Sequence, residues 1–379
     1  MIQKKNLNFK ILWIGPYVPL KAITNWKATS PAAVKWQFHL LESLIKNKIN
    51  LKWIYYRPES YWPKGKLLPS KILIKKVDKF HKKQIHYLNL LGLKYLTKKI
   101  FLKKILLEEI KKKKTEPLIL ISYNSPTWIN TILSDKMIKS KIICIYLLAD
   151  DQVKCKADGY IFLSYQNFIN NISIKNKLHL DGAIYPPIKT KKKIKKNKTI
   201  IFLYSGSLHE YGGAQNLIKA INHIKKNNFE LWISGTGNSK IFKDAASKDK
   251  RIKFFGLLSN SQLDEKYREA DIFLNPRITK RKDNNYNFPS KLFDYLSWQK
   301  PIISTWTKGL SPEYKTVLDI SKEEPKDLAL TMQKYLNNRA KKLNINKEFI
   351  NKKNWDNEAR KLILFLKKII KNQTDLFSQ

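Results

Sequence analysis

Cysteine is nearly missing from this chain. Cys144 and Cys155 are the only two, with neither CxxC spacing nor a histidine cluster beside them, which excludes a disulfide framework or a cysteine metal knuckle and fits a reducing compartment. Glycine is scarce too, 12 in 379 residues. Gly15 stands alone after the first apolar run, so the G-x-G-x-x-G turn of a dinucleotide oxidoreductase is absent. There is no G-x-S-x-G elbow, hence no support for a serine hydrolase of that type. There is no Asp-x-Asp and no HExxH, and the six histidines are scattered, so no metal site is expected. No apolar run approaches the ~18 residues of a membrane span: Ile142 to Ala149 is too short, and Ile11 to Pro19 is interrupted by Gly15 and Pro16. Neither a transmembrane segment nor a signal peptide is expected.

Acidic residues are the last shortage, 30 Asp+Glu against 74 Lys+Arg, for a formal charge of +44. Such a field attracts polyanions: nucleic acid, anionic lipid headgroups or phosphorylated glycolipids. The lysines run along the whole chain, a pattern that biased genome composition also produces, so charge does not choose among these partners. A hydrophobic fraction of 43% with 12% aromatic supplies ample core, and the length implies two domains of about 150 to 200 residues.

Lys10-Ile11-Leu12-Trp13-Ile14-Gly15-Pro16 is apolar until its turn residues and reads as a buried parallel strand. Ser30 and Pro31 open a helix whose apolar positions run from Ala33 to Ile45, and Leu51 to Tyr56 is a second strand, a β–loop–α–β opening of a doubly wound domain. Leu118 to Ser122 and Ile142 to Leu148 are further strands, leading into Tyr123-Asn124-Ser125-Pro126 and Ala149-Asp150-Asp151, where such folds bind ligands. Gly159 to Ser164 is another. Phe80 to Lys114 reads as a basic amphipathic surface. Ile85, Leu88, Leu91, Tyr95, Ile100, Ile105 and Ile110 would line an apolar face, with cations such as Lys82, Lys98, Lys99, Lys103 and Lys104 for anionic lipid; packing on the domain's own sheet is the alternative.

Pro186-Pro187 and the lysine-rich run through Lys198 read as a linker, after which the pattern restarts. Thr199 to Tyr204, Phe229 to Ser234, Arg251 to Gly256, Asp271 to Asn275 and Pro301 to Thr305 read as strands, with helices at Ala214 to Ile224 and Ser261 to Glu269. A further amphipathic helix runs from Trp355 to Ile370. The expected domains are residues 1–185, a basic linker 186–198, a second domain 199–345 and a returning helix 346–371. The fold class is α/β, two doubly wound domains facing a cleft.

The stretch Asn287 to Leu296 is a loop entering a helix, with Pro289 and Ser290 as rigid entry and N-cap. Its free N–H groups and Lys291 would face a phosphate, and Asp294 would face ribose hydroxyls; an ordinary capped amphipathic helix with Leu292, Phe293, Tyr295 and Leu296 as core is the alternative reading of this stretch. With Gly206, Gly212, Gly213, Gly235, Gly237 and Arg277, these are the parts of a nucleotide-diphosphate site.

The runs Tyr204-Ser205-Gly206-Ser207-Leu208, Leu231 to Gly237, Phe255-Gly256-Leu257-Leu258, Ala270 to Leu274, and Phe288 to Leu296 with Lys300 to Thr305 resemble the donor half of a family 4 (group 1) glycosyltransferase of GT-B fold. The resemblance implies retaining transfer of a sugar from a nucleotide-diphosphate donor, with no metal and no further cofactor. It places the donor on Gly206, Ser207, Gly235, Gly237, Gly256, Leu257, Leu258, Ser290, Leu292 and Asp294. Arg277, Lys291 and Asp150 are the candidate catalytic residues, Gly15 and Asn124 the acceptor-side loop residues. Tyr286 and Ser207 stand where the family commonly has a glutamate and an arginine, and Ala149 where it often has a histidine beside Asp150, so Arg277 and Lys291 would carry the diphosphate charge. The expected acceptor is a glycan or lipid-linked carrier in surface polysaccharide or lipopolysaccharide synthesis, with the protein cytoplasmic and peripheral at an anionic inner membrane face. The alternatives are a transferase acting on nucleic acid, or a non-catalytic basic nucleic-acid-binding protein with a degenerate transferase fold.

Overall fold

Runs of four to eight residues that bury most of their side chains form the centres of two sheets, because a strand covered by helices on both faces has no solvent side on which to place polar residues. The computed structural model describes residues 8–19, 30–69, 80–112, 116–124, 126–149, 152–185, 199–226, 228–337 and 347–377. By packing, these divide into two units. The first comprises Met1–Leu163, Asn167–Gly182 and Trp355–Gln379, the second Ser164–Gln166 and Ala183–Asn354. The expected linker 186–198 lies outside the described residues.

In the first unit the strands are β1 (Lys10–Pro16), β2 (Asn50–Tyr56), β3 (His81–Gln84), β4 (Leu118–Tyr123), β5 (Ile143–Leu148), β6 (Gly159–Phe162) and β7 (Lys177–His179), in spatial order β3-β2-β1-β4-β5-β6-β7. All pairs are parallel, with Trp13 opposite Trp53 on one side and Ile121 on the other. In the second unit β8 (Ile200–Ser207), β9 (Phe229–Thr236), β10 (Ile252–Phe254), β11 (Ile272–Asn275), β12 (Ile302–Thr305) and β13 (Asp319–Ser321) stand as β10-β9-β8-β11-β12-β13, again parallel. In both sheets the strand order therefore reverses beside the unit's first strand, and the crevice there, between the carboxyl ends of β1 and β4 or of β8 and β11, is where doubly wound sheets take ligands.

The last helix, Trp355–Phe377, packs within the first unit. Trp355 meets Trp36 edge-on and stacks on His39 of the helix Pro31–Lys46. Gly159 allows the close approach: a Cβ there would lie 2.7 Å from Ile369 Cδ1. At the amino edge of the sheet Glu109 ties β1 to β2, accepting from Lys10 at 2.8 Å and Lys52 at 2.6 Å.

The segment expected to form one basic amphipathic surface over 80–114 is instead divided. His81–Gln84 is an edge strand, and a helix runs from Leu93 to Lys111 after Gly92, whose φ of +80° breaks the chain direction. Ile85 and Ile105 sit in the core of the first unit, whereas Leu91, Tyr95 and Ile100 are exposed. Lys98, expected to offer its charge outward, is only 4% exposed. Its Nζ lies 4.2 Å from the Tyr56 ring centroid, 4.4 Å from that of Tyr87 and 5.4 Å from that of Trp128. Burial, reinforced by the charge of Lys94, pushes its pKa down to about 7, while the three ring faces favour the cation. A base depressed in this way costs stability as pH falls from the unfolded value toward the folded one, because only the unfolded chain gains the proton there. Lys98→Met is therefore expected to be more stable than the wild type at pH 7, with the gap narrowing by up to ~1.4 kcal/mol per pH unit toward pH 10. Urea unfolding at pH 7, 8 and 9 measures this; a gap independent of pH would show that Lys98 titrates as an ordinary lysine.

Candidate active site

At the carboxyl end of β8 the chain runs through Gly206, φ +145°, beside Gly235, φ +155°, at the matching position of β9. The two backbones nearly touch: a Cβ on Gly235 would lie 1.7 Å from the Gly206 carbonyl oxygen. Gly235 also donates its N–H to the Gly256 carbonyl at 2.8 Å, which Ser234 Oγ reaches at the same distance. Gly206, Gly235 and Gly256 thus line the ends of three neighbouring strands. Gly237 packs against Leu208 and His209, while Gly256 has open space where a side chain would be and the following Leu257 is exposed. Leu258 is partly buried. Ser207 offers its carbonyl to the Tyr204 hydroxyl at 2.5 Å, and its Oγ accepts the His209 N–H.

Lys291 approaches this glycine edge from the helix Lys291–Ser297. Its Nζ would lie 2.7 Å from a Cβ on Gly206, so a side chain there would displace the ammonium group, and it stands 4.0 Å from the Tyr204 ring centroid. Burial, then the charge of Arg277, holds its pKa well below that of an ordinary lysine. Arg277 follows β11 and is steadied by Asn284 Oδ1 and Asn287 Oδ1, each 3.3 Å from one guanidinium nitrogen. Asn284 is buried and spends its amide on the Tyr211 and Ile278 carbonyls, locking the Gly212 turn to the Arg277 loop. Sequence reasoning missed Asn284, because an Asn within Lys-Asp-Asn-Asn-Tyr looks like solvated loop.

The helix start differs from the expected anion cradle. Ser290 is in helical conformation and makes no side-chain cap; its N–H donates to Phe288, and the Leu292 and Phe293 N–H groups donate to Pro289 and Ser290. Three of the donors meant for phosphate are thus bonded within the turn, and the seven-residue helix carries only a short dipole. Leu292 and Phe293 point into the core. The cationic character of the site rests on the side chains of Lys291 and Arg277. Asp294 is partly buried, its carboxylate near the Tyr185 and Tyr267 hydroxyls. Beneath it Tyr295 stacks on Phe273, accepts the Ser205 N–H at 2.9 Å and so fixes the helix to β8.

Gly15 and Asn124 belong to the first unit, at the ends of β1 and β4. Both have local duties. A Cβ on Gly15 would fall 2.0 Å from Gln37 Oε1, which Trp13 already engages, and Asn124 Oδ1 accepts the Ala149 N–H at 2.9 Å. Asp150 lies outside the described residues. Among the described residues no group of three or more His, Cys, Asp or Glu is arranged to hold a metal ion, and no helix is long and apolar enough to cross a membrane.

No curated protein sequence matches the chain. Solved structures do match over nearly its full length. A glycosyltransferase from Rickettsia africae ESF-5 superposes with TM-score 0.67 at 14% identity, covering 96% of this chain and 99% of that one. The catalytic domain of starch synthase IV from Arabidopsis thaliana, bound to ADP and acarbose, gives 0.65 at 9% over 96% and 99%. The lipopolysaccharide outer core galactosyltransferase WaaB in apo form gives 0.64 at 13% over 95% and 99%. These likenesses establish the fold, GT-B. Within this GT-B chain, residues 199–338, which fall in the second unit, match the family described as glycosyl transferases group 1.

Proposed function

We propose that the chain is a retaining glycosyltransferase that takes its sugar from a nucleoside-diphosphate donor and needs no resident metal. The observation that carries this reading is the pair of cations at the β8–β11 crevice. Lys291 Nζ has no hydrogen bond or ion pair among the described residues, and beside it stands Arg277. Two cations forced together destabilise the empty site and are relieved by a ligand carrying two or more negative charges, which a diphosphate does. The glycine edge lets backbone come close to that group, and Asp294 supplies acceptor oxygens for a ribose. In the reaction the bond from the anomeric carbon to the diphosphate oxygen breaks as the acceptor oxygen bonds on the same face, and the acceptor proton passes to the leaving diphosphate. The protein positions the partners and opposes the charge that develops on the leaving group.

The acceptor in this reading is a glycan or lipid-linked carrier of cell-surface polysaccharide or lipopolysaccharide synthesis, met at the cytoplasmic face of a membrane. The donor half is tested by thermal unfolding with uridine, adenosine and guanosine diphosphates. At 100 times its dissociation constant the right nucleotide stabilises by ~2.7 kcal/mol. Asp294→Ala is expected to weaken that nucleotide about tenfold, ~1.4 kcal/mol. Absence of stabilisation by all three would sink the donor reading, and unchanged affinity in the variant would remove Asp294 from the ribose role.

A further inference from the structure

The helix Leu93–Lys111 has its polarity inverted over its first half. Toward the protein it buries Lys94, Lys98 and, further on, Glu109; toward solvent it turns Leu93, Leu96 and Ile100, spaced three and four apart and so on one face, with Phe101 and the preceding Leu91 beside them. Leu91 is 82% exposed, Ile100 58%. Burying lysines costs free energy that a helix turned the other way would not spend, so the outward leucines call for an apolar partner. A second segment widens the surface. The loop that leaves β2 exposes Trp62, Leu67 and Leu68, and it is fastened to the approach to this helix. Trp62 N–H donates to the Asn89 carbonyl, Asn89 N–H to that of Leu67, the Asn89 amide to Ser60 and Lys66, and Lys94 Nζ to Glu59.

Charge identifies the partner. From Leu88 to Leu107 the sequence has no acidic residue and five lysines, Lys94, Lys98, Lys99, Lys103 and Lys104. Lys104 is exposed one turn beyond Ile100, and Lys64 and Lys66 are exposed on the loop. Leucine, isoleucine, tryptophan and phenylalanine ringed by lysines, with Glu59 of the loop ion-paired to Arg57 at 2.9 Å, suit an anionic bilayer, where apolar side chains enter the acyl boundary and the ammonium groups meet headgroup phosphates. The surface also lies where a membrane-borne acceptor would be useful. The loop leaves the carboxyl end of β2, and a helix following β3 begins at that same edge of a parallel sheet, the edge that holds the β1–β4 crevice.

We infer that Trp62, Leu67, Leu68 and the outer face of Leu91 to Phe101 form a membrane-docking surface for a bilayer containing anionic lipid. This deepens the acceptor reading above and is tested without donor or acceptor, so either can fail alone. The full chain is floated with phosphatidylcholine vesicles containing or lacking phosphatidylglycerol, at low and high salt, because attraction of basic residues to an anionic surface is screened within a Debye length. The expected result is binding to the anionic vesicles that weakens with salt and drops about tenfold or more in Leu96→Glu/Ile100→Glu, whose sites are exposed; Lys64→Glu/Lys104→Glu loses the anionic preference. The variants keep the wild-type melting temperature and nucleotide stabilisation. The inference is overturned if the wild type stays unbound, if the leucine–isoleucine variant binds like the wild type, or if anionic and neutral vesicles bind alike. It is equally overturned if light scattering shows that the face instead pairs two copies of the chain, or if the surface variants lose binding to duplex DNA while vesicles are ignored.

Discussion

Turnover is expected to fall about 10²-fold or more when Lys291 is replaced by alanine, the range seen when a group that stabilises developing charge is removed. The size follows from placement. Lys291 Nζ sits against Gly206 and the Tyr204 ring, in surroundings that already depress its pKa through burial and Arg277, so its charge acts in a medium that screens it poorly. The same placement predicts a pH signature. The protonated amine is the useful form, and its lowered pKa makes kcat/KM decline on the alkaline side at a lower pH than an ordinary lysine would impose. A bound diphosphate favours the protonated form, so kcat declines at higher pH than kcat/KM. Steady-state profiles across the alkaline range read both limbs. An alanine variant with wild-type turnover, or superimposed limbs for the two parameters, would remove Lys291 from the chemistry.

The repeated architecture was legible because central parallel strands are apolar throughout: Ile11 to Ile14, Ile119 to Ile121 and Phe202 to Tyr204 announce themselves without alternation. Three of the four edge strands were not, since His81–Gln84, Lys177–His179 and Asp319–Ser321 are short, polar and bury little. Within the site, Gly206, Lys291 and Arg277 were readable as residue types suited to a diphosphate, and the fold brings them to one crevice. What failed was the inference from local pattern to local hydrogen bonding. Pro289-Ser290 looks like a cap, yet the turn consumes its own donors. Lys98 failed for the opposite reason. Its cage comes from Tyr56, Tyr87 and Trp128, three segments whose convergence a linear reading does not display.

Arg277 carries the second large effect, and its variants separate charge from shape. Arg277→Ala is expected to cost about 10²- to 10³-fold in kcat, as for loss of one preorganised donor to developing charge. Arg277→Lys retains the charge but loses the planar fork that Asn284 and Asn287 hold at one end, and a point charge on a flexible stem does not recover two-point contact with phosphate oxygens. About a tenfold loss should persist in that variant if a single charge-assisted bond, ~1.4 kcal/mol, goes with the fork. If both side chains address one leaving group, as proposed, the double variant Arg277→Ala/Lys291→Ala should lose less than the product of the single losses, since the second removal acts on a site already disabled. Removing Arg277 also removes a cation that depresses Lys291, so the alkaline limb of kcat/KM should move to higher pH in Arg277→Ala. An unmoved limb together with strictly multiplicative losses would mean that the two cations serve different groups, and the shared diphosphate would have to be given up.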